Sequence, residues 1–223
     1  MDEPTVAPEV LAACLGDLAK VNTVTLARPP TLAWLRHAVR GSGPDGAFSL
    51  LDVGYGQGDM LRAIYAWSLR AKLRARLFGI DLSPSSAPAA RAATDPDWPI
   101  DYLVGDVLQF EPPQGLDFAI SSLVTHHMTD DQLVRFITWM EANTRRGWFI
   151  NDLHRHPVAY YGFTALSFAA RWHPFVRHDG PLSVARSFRR PDWERLVAAA
   201  GLALTDVTID WRFPFRLCVG RLK

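Results

Sequence analysis

Apolar and polar positions along the chain fall into short blocks whose period switches between that of a helix and that of a strand. Val10, Leu11, Cys14, Leu15 and Leu18 recur at helical spacing. Pro29-Pro30 ahead of Thr31-Leu32-Ala33-Trp34-Leu35 opens a second helix, because proline is tolerated in a first turn. Gly41 to Gly46 reads as a loop, and Phe48 to Val53 is a short apolar run ending at a glycine cluster. Met60, Ile64 and Trp67 share one face of the helix behind it, with Asp59 as its expected cap. Leu77 to Ile80 repeats the strand pattern, with Ser83 and an alanine-rich helix after it, and Ile100 to Val104 and Phe118 to Ile120 give two further strands. Thr129-Asp130-Asp131-Gln132 has the form of a capping box, and Leu133, Phe136, Ile137 and Met140 follow on one helical face, with Gly147 as the expected stop.

Trp148 to Ile150 is the next strand. A helix from Pro191 to Ala200 carries Trp193, Leu196 and Val197 on one side and ends at Gly201. Leu204 to Trp211 and Arg216 to Leu222, joined near Pro214, read as a closing antiparallel hairpin at a sheet edge. Strands alternating with helices argue for an α/β fold, a Rossmann-like doubly wound sheet, mostly parallel and covered on both faces. The 223 residues suit one domain. It divides into a helical appendage (1–45), a core (46–152), an inserted lid (153–190), and the last helix with its hairpin (191–223).

Composition narrows the partners. Apolar residues at 48% and charged residues at 21% are globular values, and a net charge of +1 gives no field for a phosphate backbone, so nucleic acid is not expected. Cys14 and Cys218 are too few and too far apart for a disulfide framework or a thiolate metal site. Asp2 and Glu3 follow Met1 directly, and no run of about 18 apolar residues occurs. The expectation is a cytoplasmic protein without a membrane span. Nothing in the sequence sets the oligomeric state.

The candidate chemistry begins at Leu51-Asp52-Val53-Gly54-Tyr55-Gly56-Gln57-Gly58. Three glycines alternate directly after a buried strand, where backbone must turn tightly and approach a ligand. A dinucleotide site fits less well, because the third glycine of that pattern falls at Asp59, whose carboxylate would oppose a pyrophosphate. The second strand ends in Asp81, able to accept from ribose hydroxyls, and the third ends before Asp106-Val107, able to take an adenine amine and pack on its ring. Each acid alone also reads as a turn or cap; the order of glycine loop, acid and acid on successive strands is the signal.

That order resembles the class I S-adenosylmethionine-dependent methyltransferases over roughly Ser49 to Gly147. The resemblance implies S-adenosylmethionine as cofactor, with Asp52 to Gly58 around its methionine part, Asp81 at the ribose and Asp106-Val107 at the adenine. Leu82 and Ser122 complete the implied cofactor set. Tyr55 stands where a small residue or Cys is common, and is expected to narrow the pocket. The loop is expected to hold the donor against its main-chain amides.

Ser121-Ser122-Leu123-Val124-Thr125-His126-His127-Met128 then falls beside the methyl group by the same resemblance. A hydroxyl nucleophile loses its proton as it attacks, and imidazole can accept it near neutrality. His126 or His127 is the candidate general base; capping or packing is the alternative. Beyond it, Asn151-Asp152-Leu153-His154-Arg155-His156 also lies at the carboxyl edge. Pro157 to Arg189 is long for a connection and carries Tyr160, Tyr161, Phe163, Phe168, Trp172 and Phe175, read as a helical lid over an aromatic-lined pocket. His154, Tyr160, His178 and Arg186 are its candidate acceptor contacts. Asp152, His154 and His156 make only a nominal metal set, since His-x-His has ligand spacing only on a strand. The implied reaction is O-methylation of a small phenolic or polyketide-like acceptor. Methylation of an activated ring carbon, and a non-catalytic protein that keeps the fold, are the alternatives.

Overall fold

The structure is a computed structural model, and residues 25–40, 46–112 and 115–223 are described. The helix expected over Val10 to Leu18, and most of the loop from Gly41, lie outside them. In chain order the elements are α1 (Arg28–Ala38), β1 (Ala47–Val53), α2 (Asp59–Arg70), β2 (Arg74–Asp81), α3 (Ser86–Ala92), β3 (Ile100–Val104), β4 (Leu116–Ser122), α4 (Asp130–Asn143), β5 (Thr144–Leu153), α5 (Pro157–Ala169), α6 (Pro174–Arg186), α7 (Arg190–Ala199), β6 (Thr208–Arg212) and β7 (Arg216–Leu222). Short 3-10 turns occupy Val107–Gln109, Thr125–His127 and Leu204–Asp206.

The seven strands form one sheet in the order β3-β2-β1-β4-β5-β7-β6. The first five are parallel, and β7 runs antiparallel between β5 and β6. Strand order reverses between β1 and β4, so loops leaving their carboxyl ends diverge and open a crevice there. Side chains alternate across the sheet. Leu50, Ile120, Phe149 and Cys218 pack with α1 and α2, whereas Leu51, Ala119, Ile150 and Leu217 pack with α4 and α7. On α4, Leu133, Phe136, Ile137 and Met140 are fully buried. Each contributes roughly 1.5–3 kcal/mol. The Thr129–Gln132 capping box sets the start of that helix.

Four boundaries differ from expectation. α4 stops at Asn143, where the Thr144 hydroxyl donates to Met140 O at 2.7 Å, and β5 begins at once. Gly147 therefore lies inside β5, where an added Cβ would sit 2.2 Å from Arg221 O; it serves strand approach, not helix termination. The cap of α2 is Gly58 at φ +72°, and Asp59 is the first helical residue, its charge favourable at that end of the helix. Leu204–Asp206 is a 3-10 turn, so β6 starts at Thr208.

Candidate active site

After β1 the chain turns through Gly54 to Gly58 into α2. Gly54 and Gly56 sit at φ +75° and +54°, a region costly for a residue with a Cβ. An added Cβ at Gly56 would meet nothing within 4 Å, so open space lies above the loop at that point. At Gly54 it would lie 2.3 Å from Val124 Cγ2, so the turn after β4 closes directly onto the loop. The glycine amides are committed inside the protein. Gly54 N donates to Ile80 O at 2.8 Å, Gly58 N to Tyr55 O at 2.8 Å, and Gly56 N to Asp81 Oδ2 at 2.9 Å. These three do not form the expected amide cradle. A cationic ligand gains instead from the carboxylates around the loop, Asp52, Asp59 and Asp81.

Asp52 is buried, and burial above all, with the like charges of Asp59 and Asp81, pushes its carboxyl well above the ordinary range. Asp81 is half-buried; its Oδ1 accepts from Ser83 N at 2.9 Å, and each of its oxygens keeps a further lone pair. Beside it, Leu82 is 75% exposed, an unsupported apolar side chain at the strand end. Asp106 Oδ1 accepts from Leu108 N at 2.9 Å, so this acid caps the Val107–Gln109 turn, and Val107 is buried in the core. Ser122 Oγ is buried with no hydrogen-bond partner among the described residues. Tyr55 does not narrow the crevice. Its ring is 3% exposed, packs over Gly79 and against Tyr102 at 5.1 Å, and its hydroxyl donates to Leu103 O. Burial, aided by Asp81, pushes that hydroxyl up to about 12.

On the other face of the same edge the two histidines part company. Leu123 takes a left-handed conformation at φ +62°, its amide donating to Asn151 O, and this reversal leads into the Thr125–His127 turn. His126 is buried, with Nδ1 2.7 Å from Asp152 Oδ1. Asp152 is fully buried on β5; its Oδ2 accepts from the Thr125 hydroxyl and from His126 N, and its Oδ1 from Leu153 N. Burial alone would raise this carboxyl, but His126 and these donors outweigh it and hold it below its ordinary value. An ionised Asp152 accepts the Nδ1 proton, which leaves Nε2 as the imidazole's free acceptor. His127 is exposed, its ring 4.2 Å from that of His126.

The segment expected as a lid is a helical hairpin of α5 and α6. Phe163, Trp172 and Val176 form its own small core, and an added Cβ on Gly180 would lie 2.0 Å from the Phe163 ring, so α5 and α6 approach closely there. Tyr161, Phe168 and Phe175 point to solvent, so they line no pocket in this structure. His154 is half-buried on the Asp152 side of the sheet; its Nδ1 has no partner among the described residues. Burial first, then His156 and Arg189, pull it below the ordinary histidine value. Tyr160 is half-buried on α5. His178 is exposed beside Asp179, 3.1 Å away, and Arg186 is exposed. His156 Nδ1 accepts from Val158 N and Asp152 is engaged with His126, so the nominal metal set is dispersed into other bonds. A groove of about 820 Å³ lies at the opposite, amino edge of the sheet among Ser49, Arg74, Arg76 and Asp117, remote from all these groups.

A family model described as a methyltransferase domain matches residues 50–147, the span from β1 through the histidine turn and α4 to Gly147 in β5. Over residues 50–147 the chain therefore carries a methyltransferase domain. Among solved structures, the methyltransferase is similar to the magnesium protoporphyrin IX methyltransferase of Synechocystis PCC 6803 with bound S-adenosylhomocysteine, at 15% identity and a TM-score of 0.58, covering 99% of this chain and 90% of that one. It is similar also to OxaC, at 25% identity and 0.57, and to LepI in complex with S-adenosylmethionine, at 20% and 0.58. Each of the last two covers 85% of this chain, which spans about half their length, 46%. No curated protein matches.

The residues present in the methyltransferase fit the donor. Space above Gly56, free lone pairs on Asp81, the exposed Leu82 beside it and the unpartnered Ser122 Oγ all lie at the carboxyl ends of β1, β2 and β4. Sequence reasoning passed over Asp152 as anything but a nominal ligand. The available signal was its position at the end of β5, the strand next to the one that leads into the histidine turn.

Proposed function

We propose that this methyltransferase transfers a methyl group to an oxygen of a small phenolic or polyketide-like acceptor, with His126 as general base. The observation that carries this is the buried pair of His126 Nδ1 and Asp152 Oδ1 at 2.7 Å, on a turn that touches the glycine loop through Val124 and Gly54. When bound, the sulfonium donor supplies an electrophilic methyl whose leaving group is the neutral thioether. His126 Nε2 would take the proton that the acceptor hydroxyl gives up as it is methylated. Asp152 fixes the ring and balances the positive charge that appears on it, a contribution of the base of roughly 10²–10⁴-fold. Asp52, Asp81, Leu82 and Ser122 hold the donor, with the Gly54–Gly58 backbone shaping its seat and Asp106-Val107 marking the adenine end. His154 and Tyr160 are the acceptor contacts this reading favours, since the unpartnered Nδ1 of His154 lies on the face that carries Asp152.

Among the described residues no helix is long and apolar enough to cross a membrane. A cytoplasmic setting accords with the buried free thiol of Cys218. A screen of phenolic acceptors with isotope-labelled donor, followed by fragmentation of the product, tests the proposal. The expected product carries the label on oxygen, and His126→Ala makes little of it. Label on a ring carbon, formed equally by His126→Ala, would discard it.

A further inference from the structure

Helix α5 turns its apolar side outward. None of its 13 residues is charged, and its two hydroxyls from Thr and Ser are taken up by its own backbone, Thr164 donating to Tyr160 O at 2.8 Å and Ser167 to Thr164 O at 2.9 Å. Ala159 and Ser167 are buried on its inner side. Val158, Tyr161, Ala165 and Phe168 follow one another at the spacing of a single helical face, and all four are exposed, Tyr161 by 70%. The apolar surface continues beyond the helix. His156, the residue before α5, stacks on Phe215 at 5.3 Å, and Trp211 meets Phe215 edge-on at 6.3 Å, so the tip of the β6–β7 hairpin adjoins the start of α5. That tip leaves Trp211 and Phe213 exposed. At the other end Arg177 lies over the Phe168 ring at 4.8 Å, and Arg171 is exposed in the turn after the helix. From α5 to the end of α6, Arg171, Arg177 and Arg186 stand against a single acid, Asp179, which His178 accompanies at 3.1 Å. None of the three arginines has an ion-pair partner among the described residues.

We propose that this outer face of α5, with the hairpin tip beside it, docks on an anionic lipid surface. A continuous apolar stripe left in water marks a surface that something else covers. Tyrosine and tryptophan suit the boundary between lipid headgroups and acyl chains, because each joins an apolar body to a polar edge. The arginines supply the matching charge for anionic headgroups. A second copy of the chain is the poorer occupant, since a two-fold pairing sets the same surface against itself and brings like charges together. With 13 residues and a length of about 20 Å, α5 is too short to cross a bilayer and would lie along it. Its partner helix α6 packs on the Thr125–His127 turn, so the docking face and the crevice are joined through one hairpin. Neither the methyl acceptor nor His126 enters into this.

The test is co-sedimentation of the full chain with vesicles of phosphatidylcholine alone and of equal parts phosphatidylcholine and phosphatidylglycerol. The protein should pellet with the mixed vesicles and partition onto the neutral ones about fivefold less or weaker still, the factor expected for each arginine near an anionic surface. Tyr161→Ser combined with Phe168→Ser should lower partition onto the mixed vesicles by about tenfold or more. Trp211→Ser combined with Phe213→Ser should lower it too, and reads the same surface should the first pair fail to fold, as judged by thermal melts against the parent. Arg171→Gln combined with Arg186→Gln should remove most of the preference for the anionic vesicles. A protein that stays in the supernatant, that pellets equally with both vesicles, or whose folded apolar variants pellet like the parent would overturn the proposal. So would a dimer of the parent, seen by sedimentation velocity, that Tyr161→Ser with Phe168→Ser dissolves, because the second copy then covers the face.

Discussion

The two sides of the carboxyl edge do different work with different materials. Around β1, β2 and β3 the site is made of backbone shape and single acids, and its buried acid, Asp52, has a carboxyl raised by burial and by its like-charged neighbours. Around β4 and β5 it is a bonded network, and its buried acid, Asp152, is held low by donors on every side. A buried carboxyl with few donors waits for a cation to arrive; one that is already saturated orients a neighbour. The pair shows that burial alone does not set the role of an acid in this crevice.

The largest expected break in that comparison is on the β4–β5 side. His126→Ala should lower kcat by roughly 10²–10⁴-fold while leaving the donor's Kd within about twofold, read by labelled-methyl assay and calorimetry. A matching loss of donor affinity would erase the division of labour. On the β1–β3 side, Asp81→Ala removes both the proposed ribose acceptor and the partner of Gly56 N, and should weaken donor binding by about tenfold or more, equivalent to about 1.4 kcal/mol. Calorimetry with S-adenosylmethionine reads it directly.

How much of this was legible follows the same divide. The glycine loop and the acids after β2 and β3 sit in local sequence, within a few residues of the strands that place them, so the positions of Gly54, Gly56, Asp81 and Asp106 at the carboxyl edge are readable from it. The direction of a side chain was not. Tyr55 turns inward because Gly79, on the neighbouring strand, leaves room for its ring, and that gap arises only once β1 and β2 pair. Likewise the His126–Asp152 pair joins residues 26 apart across a strand crossing, and no local pattern distinguishes His126 from His127. The lid's aromatics divide between a small internal core and solvent because α5 and α6 pack chiefly on one another, which a count of aromatic residues does not reveal.

Two smaller effects sharpen the contrast. Tyr55→Phe should cost about 1 kcal/mol in chemical denaturation, through the lost bond to Leu103 O, with no change in donor affinity. A clear change in affinity would put the hydroxyl back in the pocket. The smallest effect lies in pH dependence. Asp52 has its folded value raised, so the folded state binds the extra proton and stability falls as pH climbs from about 3.8 through that value. Asp52→Asn should flatten this slope in thermal melts taken from mildly acid to mildly alkaline pH. Asp152 works in the opposite sense: its stabilisation is complete above about 3.8 and drains away as pH falls through its lowered folded value, so acid melts of Asp152→Asn should lack that loss.

The close approach of Val124 to Gly54 joins the two sides mechanically. A bulkier residue at either position must push the neighbouring segment, and a shift of the donor-binding bend would carry the histidine turn with it. Variation in this enzyme should therefore be tolerated in matched pairs at these two positions where it is refused singly, and an engineer seeking to widen the donor seat would have to trim Val124 in the same step.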